Sequence, residues 1–492
     1  MSRRFLLAVA LVAIPATTRP QESPDQQARR LLEDGRAYWA QGKLKQALDN
    51  FNIIVNSFPR AEAVGQALLE IGRYRLEVEG DPDKARTSFD QVAKQFPQSD
   101  AAPGAYYWLG YLTMSRAATA GELDDALAQF TRVQNLYPRS TEWVSRALYA
   151  SGLVHRKAGR LAEAVDVSRR VSLEYPNSEA AAAAQFQVGH CLALKGEARS
   201  AMEEFQQVRN RFPESEWAPP ALERITALYR LYGFAKPAFA VDAGYAVGSG
   251  DLLKDVRAIL MTPTGTLWIA SDKTKTAVPI DPGGKAGPGL SGEDLRSLSL
   301  SPRGEIVVAA RLAVRIGPKD LKSYAIPSEK PGIPEALDRI LAAALTPGGS
   351  VLVSDEKRKR VYRYNGKFEY QGLFPEKDTK ERVVSRMFVD GEGGIVLLDR
   401  EEKTVRVLDE TGRLLRTVGP AGLRRPVDAA VDPFRNTYVA DEEGAVQIFS
   451  PSGQPLASLT GPELKKPRAL TLDPTGAVLV WDERAEKVLR YR

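Results

Sequence analysis

Apolar residues in the first half of the chain recur at three- and four-residue intervals, the spacing of one helix face. In the second half they fall in short alternating runs separated by Pro-x-Gly turns, the pattern of strands. The period changes between residues 219 and 250. This predicts a helical domain over residues 24–236 followed by a strand domain over residues 237–492, a multidomain chain of α then β architecture. A length of 492 residues suits the division, because single cores stop growing well below it.

An aromatic residue followed by proline punctuates the helical half at Phe58-Pro59, Phe96-Pro97, Tyr137-Pro138, Tyr175-Pro176 and Phe212-Pro213. Each proline ends a helix, since it has no N–H and clashes with the preceding turn. Ala47, Phe51 and Ile54 in the first unit, and Ala201, Phe205 and Val208 in the last, sit at i, i+4 and i+7 and predict the inward face of a second helix. Gly35, Tyr38, Gly42, Ala47, Phe51 and Pro59 fall at the signature positions of a tetratricopeptide repeat, and Gly189, Gly196, Ala201, Phe205 and Pro213 do so again. The helical half therefore resembles a tetratricopeptide solenoid of about five repeats, with a further helix over residues 221–231 capping its last apolar face. The aromatic-Pro-x-Ser form resembles the repeats of bacterial envelope proteins, and serines such as Ser99 and Ser178 are expected to cap the helices that follow.

That resemblance implies a protein or peptide partner in the groove of the first helices. Carried over unit by unit, the groove positions are Arg36, Trp39, Arg73, Tyr107, Tyr111, Tyr149, Arg156, Phe186 and His190. Aromatics interleaved with cations would suit an extended peptide carrying carboxylates. The competing reading is that the aromatics pack against neighbouring helices and that His190 is structural.

The strand half repeats as well. Residues 472–482 run from an apolar strand through a Pro-Thr-Gly turn into a second strand, and echoes begin at Met261, Leu300, Leu345, Val389 and Val431, the spacing of propeller blades. Asp355, Asp399, Asp441 and Asp482 end the second strands, where hydrogen bonding to the turn backbone is expected. These units resemble the NHL repeats of six-bladed β-propellers. The sixth blade shows only three strands up to Arg492, so residues 238–247 are expected to supply its fourth and close the ring.

Composition narrows the function. The net charge of +6 comes from 68 basic and 62 acidic residues mixed along the chain, so no nucleic-acid partner is implied. The one basic run, residues 357–360, adjoins Asp355 and Glu356 and fits a solvated hairpin. Arg3 and Arg4 before an apolar stretch predict an export signal over residues 1–20, with roughly half the ~20 apolar residues a membrane span needs. A periplasmic or secreted location follows, with no transmembrane span after cleavage. Cys191 is the single cysteine, which excludes an intrachain disulfide and a lipid-bearing cysteine after the signal and argues against a lipoprotein. His155 and His190 both lie in the helical half, leaving the strand half without a histidine ligand or base. No cofactor or metal is expected. The reading is a non-enzymatic exported protein-protein interaction scaffold in cell-envelope assembly or maintenance. The alternatives are a propeller hydrolase or lyase docked by its solenoid, and a nucleic-acid-binding NHL protein.

Overall fold

The computed structural model describes residues 22–117, 119–234, 237–247, 250–327, 334–376, 380–419 and 422–492. The expected export signal at residues 1–20 lies outside the described residues. Among these, the N-terminal part holds five antiparallel helix pairs and one last helix: α1 (Pro24–Ala40) with α2 (Leu44–Ser57), α3 (Val64–Glu77) with α4 (Pro82–Gln95), α5 (Ala102–Arg116) with α6 (Ala120–Leu136), α7 (Thr141–Lys157) with α8 (Leu161–Glu174), α9 (Ala180–Leu194) with α10 (Ala198–Arg211), and α11 (Ala218–Tyr232). The tetratricopeptide-like solenoid is the observed architecture. Phe51, Phe89, Phe130 and Phe205, one from each of four second helices, are fully buried. Each fills the space opposite a first-helix glycine: a methyl group on Gly110 would meet Phe130 Cε1 at 2.7 Å, and one on Gly189 would meet Phe205 Cδ1 at 2.9 Å. The glycines are there for close helix approach.

The serines after the prolines do not act as the expected caps. Ser99 and Ser215 donate their hydroxyls backwards to Phe96 O and Phe212 O, at 2.7 and 2.8 Å. Their backbone N–H groups bond to the same carbonyls, closing a tight turn around each proline. The next helices start three residues further on, at Ala102 and Ala218, with no side-chain cap.

Six blades follow. Their inner strands are Val256–Met261, Leu295–Leu300, Ile340–Leu345, Val384–Val389, Pro426–Val431 and Pro467–Leu472, and each pairs antiparallel with the strand after it. Every inner strand carries a bulge after its first residue, which increases local twist. Blades 1, 3, 4 and 5 are four-stranded sheets. Blade 2 has three strands and a single bridge, Val314 to Lys322, in place of the fourth.

Blade 6 is completed from the other end of the domain. Ala240 N donates to Arg492 O at 2.9 Å, Arg492 N returns a bond to Ala240 O at 2.9 Å, and Asp242 N donates to Arg490 O at 2.8 Å. The pairing is antiparallel and spans Ala240 to Asp242, much shorter than the segment 238–247 that the alternating pattern suggested. The strand-end aspartates bond the backbone of the turn that follows: Asp355 accepts from Arg358 N at 2.7 Å, Asp399 from Glu401 N at 3.0 Å and Asp482 from Ala485 N at 2.8 Å. Asp441 and Asp482 also reach the loop before the inner strand, accepting from Arg424 N at 2.8 Å and Lys465 N at 2.6 Å.

Candidate functional site

The nine expected groove positions all lie on first helices, α1, α3, α5, α7 and α9, and their surroundings divide them into three groups. Near the N-terminal end, Arg36 Nε and Arg73 Nη1 both bond the buried Glu70 carboxylate, each at 2.9 Å. The Arg73 guanidinium lies 5.2 Å over the Trp39 ring, which meets Tyr74 edge-on. One buried acid thus orders two cations and an aromatic along α1 and α3, and Arg73 also reaches Glu77, with Nε 3.3 Å from Oε1.

In the middle, Tyr107 packs against Trp108, Phe130 and Trp143, and burial pushes its hydroxyl pKa up to about 12. Burial likewise raises Tyr149. Tyr111 meets Trp108 edge-on and remains 38% exposed. Phe186 is wedged between Phe205 and Trp217, with ring centroids 5.0 Å from each.

At the C-terminal end the two expected groove residues meet a propeller acid. His190 Nε2 lies 2.8 Å from Glu392 Oε1, and Arg156 Nε lies 3.5 Å from Glu392 Oε2. Glu392 belongs to the turn of blade 4, so the propeller supplies an acid to two first helices, α7 and α9. Burial alone would raise the Glu392 carboxyl, but the His190 hydrogen bond and the Arg156 charge hold it below its ordinary value. Burial lowers His190, and its Nδ1 has no partner. The consistent assignment is a neutral imidazole donating Nε2–H to an ionised carboxylate.

Glu392 is the third residue of the turn Asp390-Gly391-Glu392-Gly393, and the same position in blades 5 and 6 also meets the solenoid. Phe434 is buried in the cluster formed by α9, α10 and α11, with the Arg224 guanidinium 5.9 Å over its ring. Thr475 O accepts from Arg230 Nη1 at 2.6 Å. In that last turn Gly476 is positive in φ and sits so close to α11 that a methyl group would meet Ala227 Cβ at 2.7 Å. Tyr232 Oη donates to Asn436 Oδ1 at 2.7 Å, and Leu231 is buried among propeller residues. The solenoid end is therefore seated on the turns of blades 4, 5 and 6. Phe434 was the readable signal: an aromatic in a turn position that five other blades fill with Thr, Arg, Gly or Glu has no reason to face water.

Between the seated helices and the propeller lies a cavity of about 780 Å³ at the mouth of the central channel. Its roof comes from α7 and α11, and its walls from the ends of the inner strands. Below it the channel is crossed by Arg386, whose Nε is 2.8 Å from Asp428 Oδ1 and whose Nη1 bonds to Leu298 O. Asp428 also accepts from Leu470 N at 2.8 Å. One arginine thereby ties blades 2, 4 and 5 and, through Asp428, blade 6. Burial raises Asp428 against the Arg386 charge, and it pushes Asp432 up to about 6 against bonds from Asn436 and Phe434 N. Among the described residues, no cluster of three His, Cys, Asp or Glu side chains could hold a metal ion, and no helix is long and apolar enough to cross a membrane.

Residues 24–231 match the family model described as YfiO, outer membrane lipoprotein. The match covers the solenoid and less than half of the chain. No curated protein matches the sequence. Solved structures that resemble the chain include a streptogramin B lyase, 10% identical, covering 52% of this chain and 97% of that one at a TM-score of 0.38. Virginiamycin B lyase from Staphylococcus aureus, as a catalytically inactive H270A form with quinupristin, is 14% identical, with 51% and 85% covered at 0.39. The WD40 propeller domain of Doa1 is 14% identical, with 52% and 97% covered at 0.37.

Proposed function

We propose that the protein is a non-enzymatic, exported interaction scaffold of the cell envelope, whose solenoid groove takes an extended protein segment bearing carboxylates. The observation that carries this is Glu392. Its carboxylate sits between His190 and Arg156, two of the nine groove positions, and so displays how this groove handles an acidic side chain. The N-terminal part of the same groove repeats the chemistry with Arg36, Trp39, Arg73 and the exposed Tyr111, and among the described residues none of the propeller is bonded to these four. The envelope setting is supported by the match of residues 24–231 to an outer-membrane lipoprotein family and by the export-like N-terminus. Cys191 is fully buried in α9, so attachment through a lipidated cysteine is not part of the reading.

The test is crosslinking from the groove itself. A photoreactive residue at Tyr111, in the full chain expressed with its N-terminus, is expected to trap a discrete envelope protein, and Arg36→Glu with Arg73→Glu is expected to abolish the adduct. An adduct that persists unchanged in the double variant would contradict the groove assignment.

A further inference from the structure

The six turns that follow the inner strands close alike. In each, the first residue donates its N–H to the carbonyl four residues on: Thr262 to Thr266, Ser301 to Glu305, Thr346 to Ser350, Asp390 to Gly394, Asp432 to Asn436 and Asp473 to Ala477, between 2.8 and 3.0 Å. The second residue is proline in five of them, at Pro263, Pro302, Pro347, Pro433 and Pro474, and glycine in blade 4, at Gly391. Packing does not ask for that glycine. A methyl group on Gly391 would meet no atom within 4 Å, its φ lies outside the left-handed region, and its N–H takes no part in closing the turn. Glu392 is therefore carried between two glycines, Gly391 and Gly393, on a turn with more backbone freedom than its five proline-bearing counterparts.

The contacts Glu392 makes are replaceable. Arg156 Nε lies 3.5 Å from its carboxylate, longer than the roughly 2.7–2.9 Å of a charge-assisted hydrogen bond, and this Nε has no hydrogen-bond partner among the described residues. His190 holds the other oxygen at 2.8 Å. Gly391, Glu392 and Gly393 all border the cavity of about 780 Å³, so the side chain has space to move into on leaving His190. The rest of the seat does not pass through this turn: Phe434 stays in the cluster of α9, α10 and α11, Arg230 stays on Thr475 O, and Leu231 stays among propeller residues.

We propose that Glu392 is a tethered internal competitor, which holds Arg156 and His190 until a carboxylate of the bound segment displaces it and the glycine-flanked turn swings into the cavity. This rests on the groove reading above and adds an autoinhibitory contact to it. Because the displaced turn belongs to blade 4, occupation of the solenoid is felt in the propeller.

Fluorescence anisotropy of the full chain with a labelled oligoglutamate peptide tests the idea. The unaltered chain is expected to bind the peptide. Glu392→Gln is expected to tighten binding at least fivefold by removing the competing charge, and Gly391→Pro to weaken it at least fivefold by holding the turn in place. The peptide is also expected to speed amide hydrogen exchange across residues 390–394 in the unaltered chain and not in Gly391→Pro. Binding that Arg36→Glu with Arg73→Glu abolishes, but that stays within twofold in either Glu392→Gln or Gly391→Pro, would overturn the internal competitor and leave the groove reading standing. No binding by the unaltered chain or by Glu392→Gln would sink both. The comparison with Gly391→Pro, where no atom opposes the added ring carbon, stands even if Glu392→Gln loosens the seat.

Discussion

Arg386 shows how much of this propeller rests on single side chains. Its guanidinium replaces water with Asp428 and the Leu298 carbonyl inside the channel, so removing it leaves a buried carboxylate without its cation. Breaking one side of a buried pair costs about 3–5 kcal/mol. Arg386→Met is expected to lose stability on that scale in urea unfolding, and adding Asp428→Asn is expected to recover part of the loss. Asp432 gives a pH signature. Its folded pKa of about 6 lies above the unfolded carboxylate value, so its contribution is fully present below about pH 4 and is lost as pH rises through 6. The difference amounts to on the order of 3 kcal/mol. His190 runs the other way: burial lowers its pKa, and its contribution is lost as pH falls below about 6.5. Comparing unfolding midpoints of the unaltered chain and Asp432→Asn between pH 4 and pH 7 isolates the first effect, and the unaltered chain should lose more stability than the variant as pH rises. Neither residue was legible in the sequence as a functional group, because Arg386 gains its partners only when separate blades close into a ring, and Asp432, bonded within its own turn, is buried only when the solenoid is seated on that turn.

At the scale of elements, the helix pairs were legible because their signals are local. A glycine on a first helix, a phenylalanine on the second and a proline after it specify a pair without reference to the rest of the chain. Gly110→Ala tests that logic: the added methyl would press on Phe130, and overpacking costs about 1–3 kcal/mol against a helix-propensity gain of at most ~1 kcal/mol. A net loss of stability is expected. Gly121→Ala, in α6 with nothing within 4 Å, should be neutral or slightly stabilising in the same thermal or urea melts. The strands were legible to the level of the blade but not to the hydrogen bond. Alternation marked residues 238–247 as a strand, yet only Ala240 to Asp242 pair with the last strand, because Ala238 N is tied back to Arg230 O of α11 at 2.8 Å and the chain must then reach blade 1. The serine caps failed for a related reason. Proline fixes a turn whose carbonyl lies nearer to the hydroxyl than the N–H groups of the next helix do.

For the whole molecule, the two halves act on each other, and that was the least legible part. Tertiary docking has no period. Arg156 and His190 were identified as groove residues from repeat positions, but their acid lies some two hundred residues away in sequence, in a turn whose Glu differs from its counterparts in other blades. The seat on blades 4 to 6 combines the Glu392 contacts with Phe434, the Arg230 bond and Leu231, and these act on three neighbouring turns at once. A scaffold that presents a groove and a propeller face to partners depends on that seat for a fixed angle between them. Spin labels at Gln207→Cys and Lys273→Cys, both exposed, measure it directly by electron–electron double resonance. Cys191 stays silent, since it is fully buried and burial pushes its thiol up to about 12. A single narrow distance distribution is expected, broadening when Glu392→Ala removes the acid from His190 and Arg156. A broad distribution in the otherwise unaltered chain would contradict the claim that solenoid and propeller form one body.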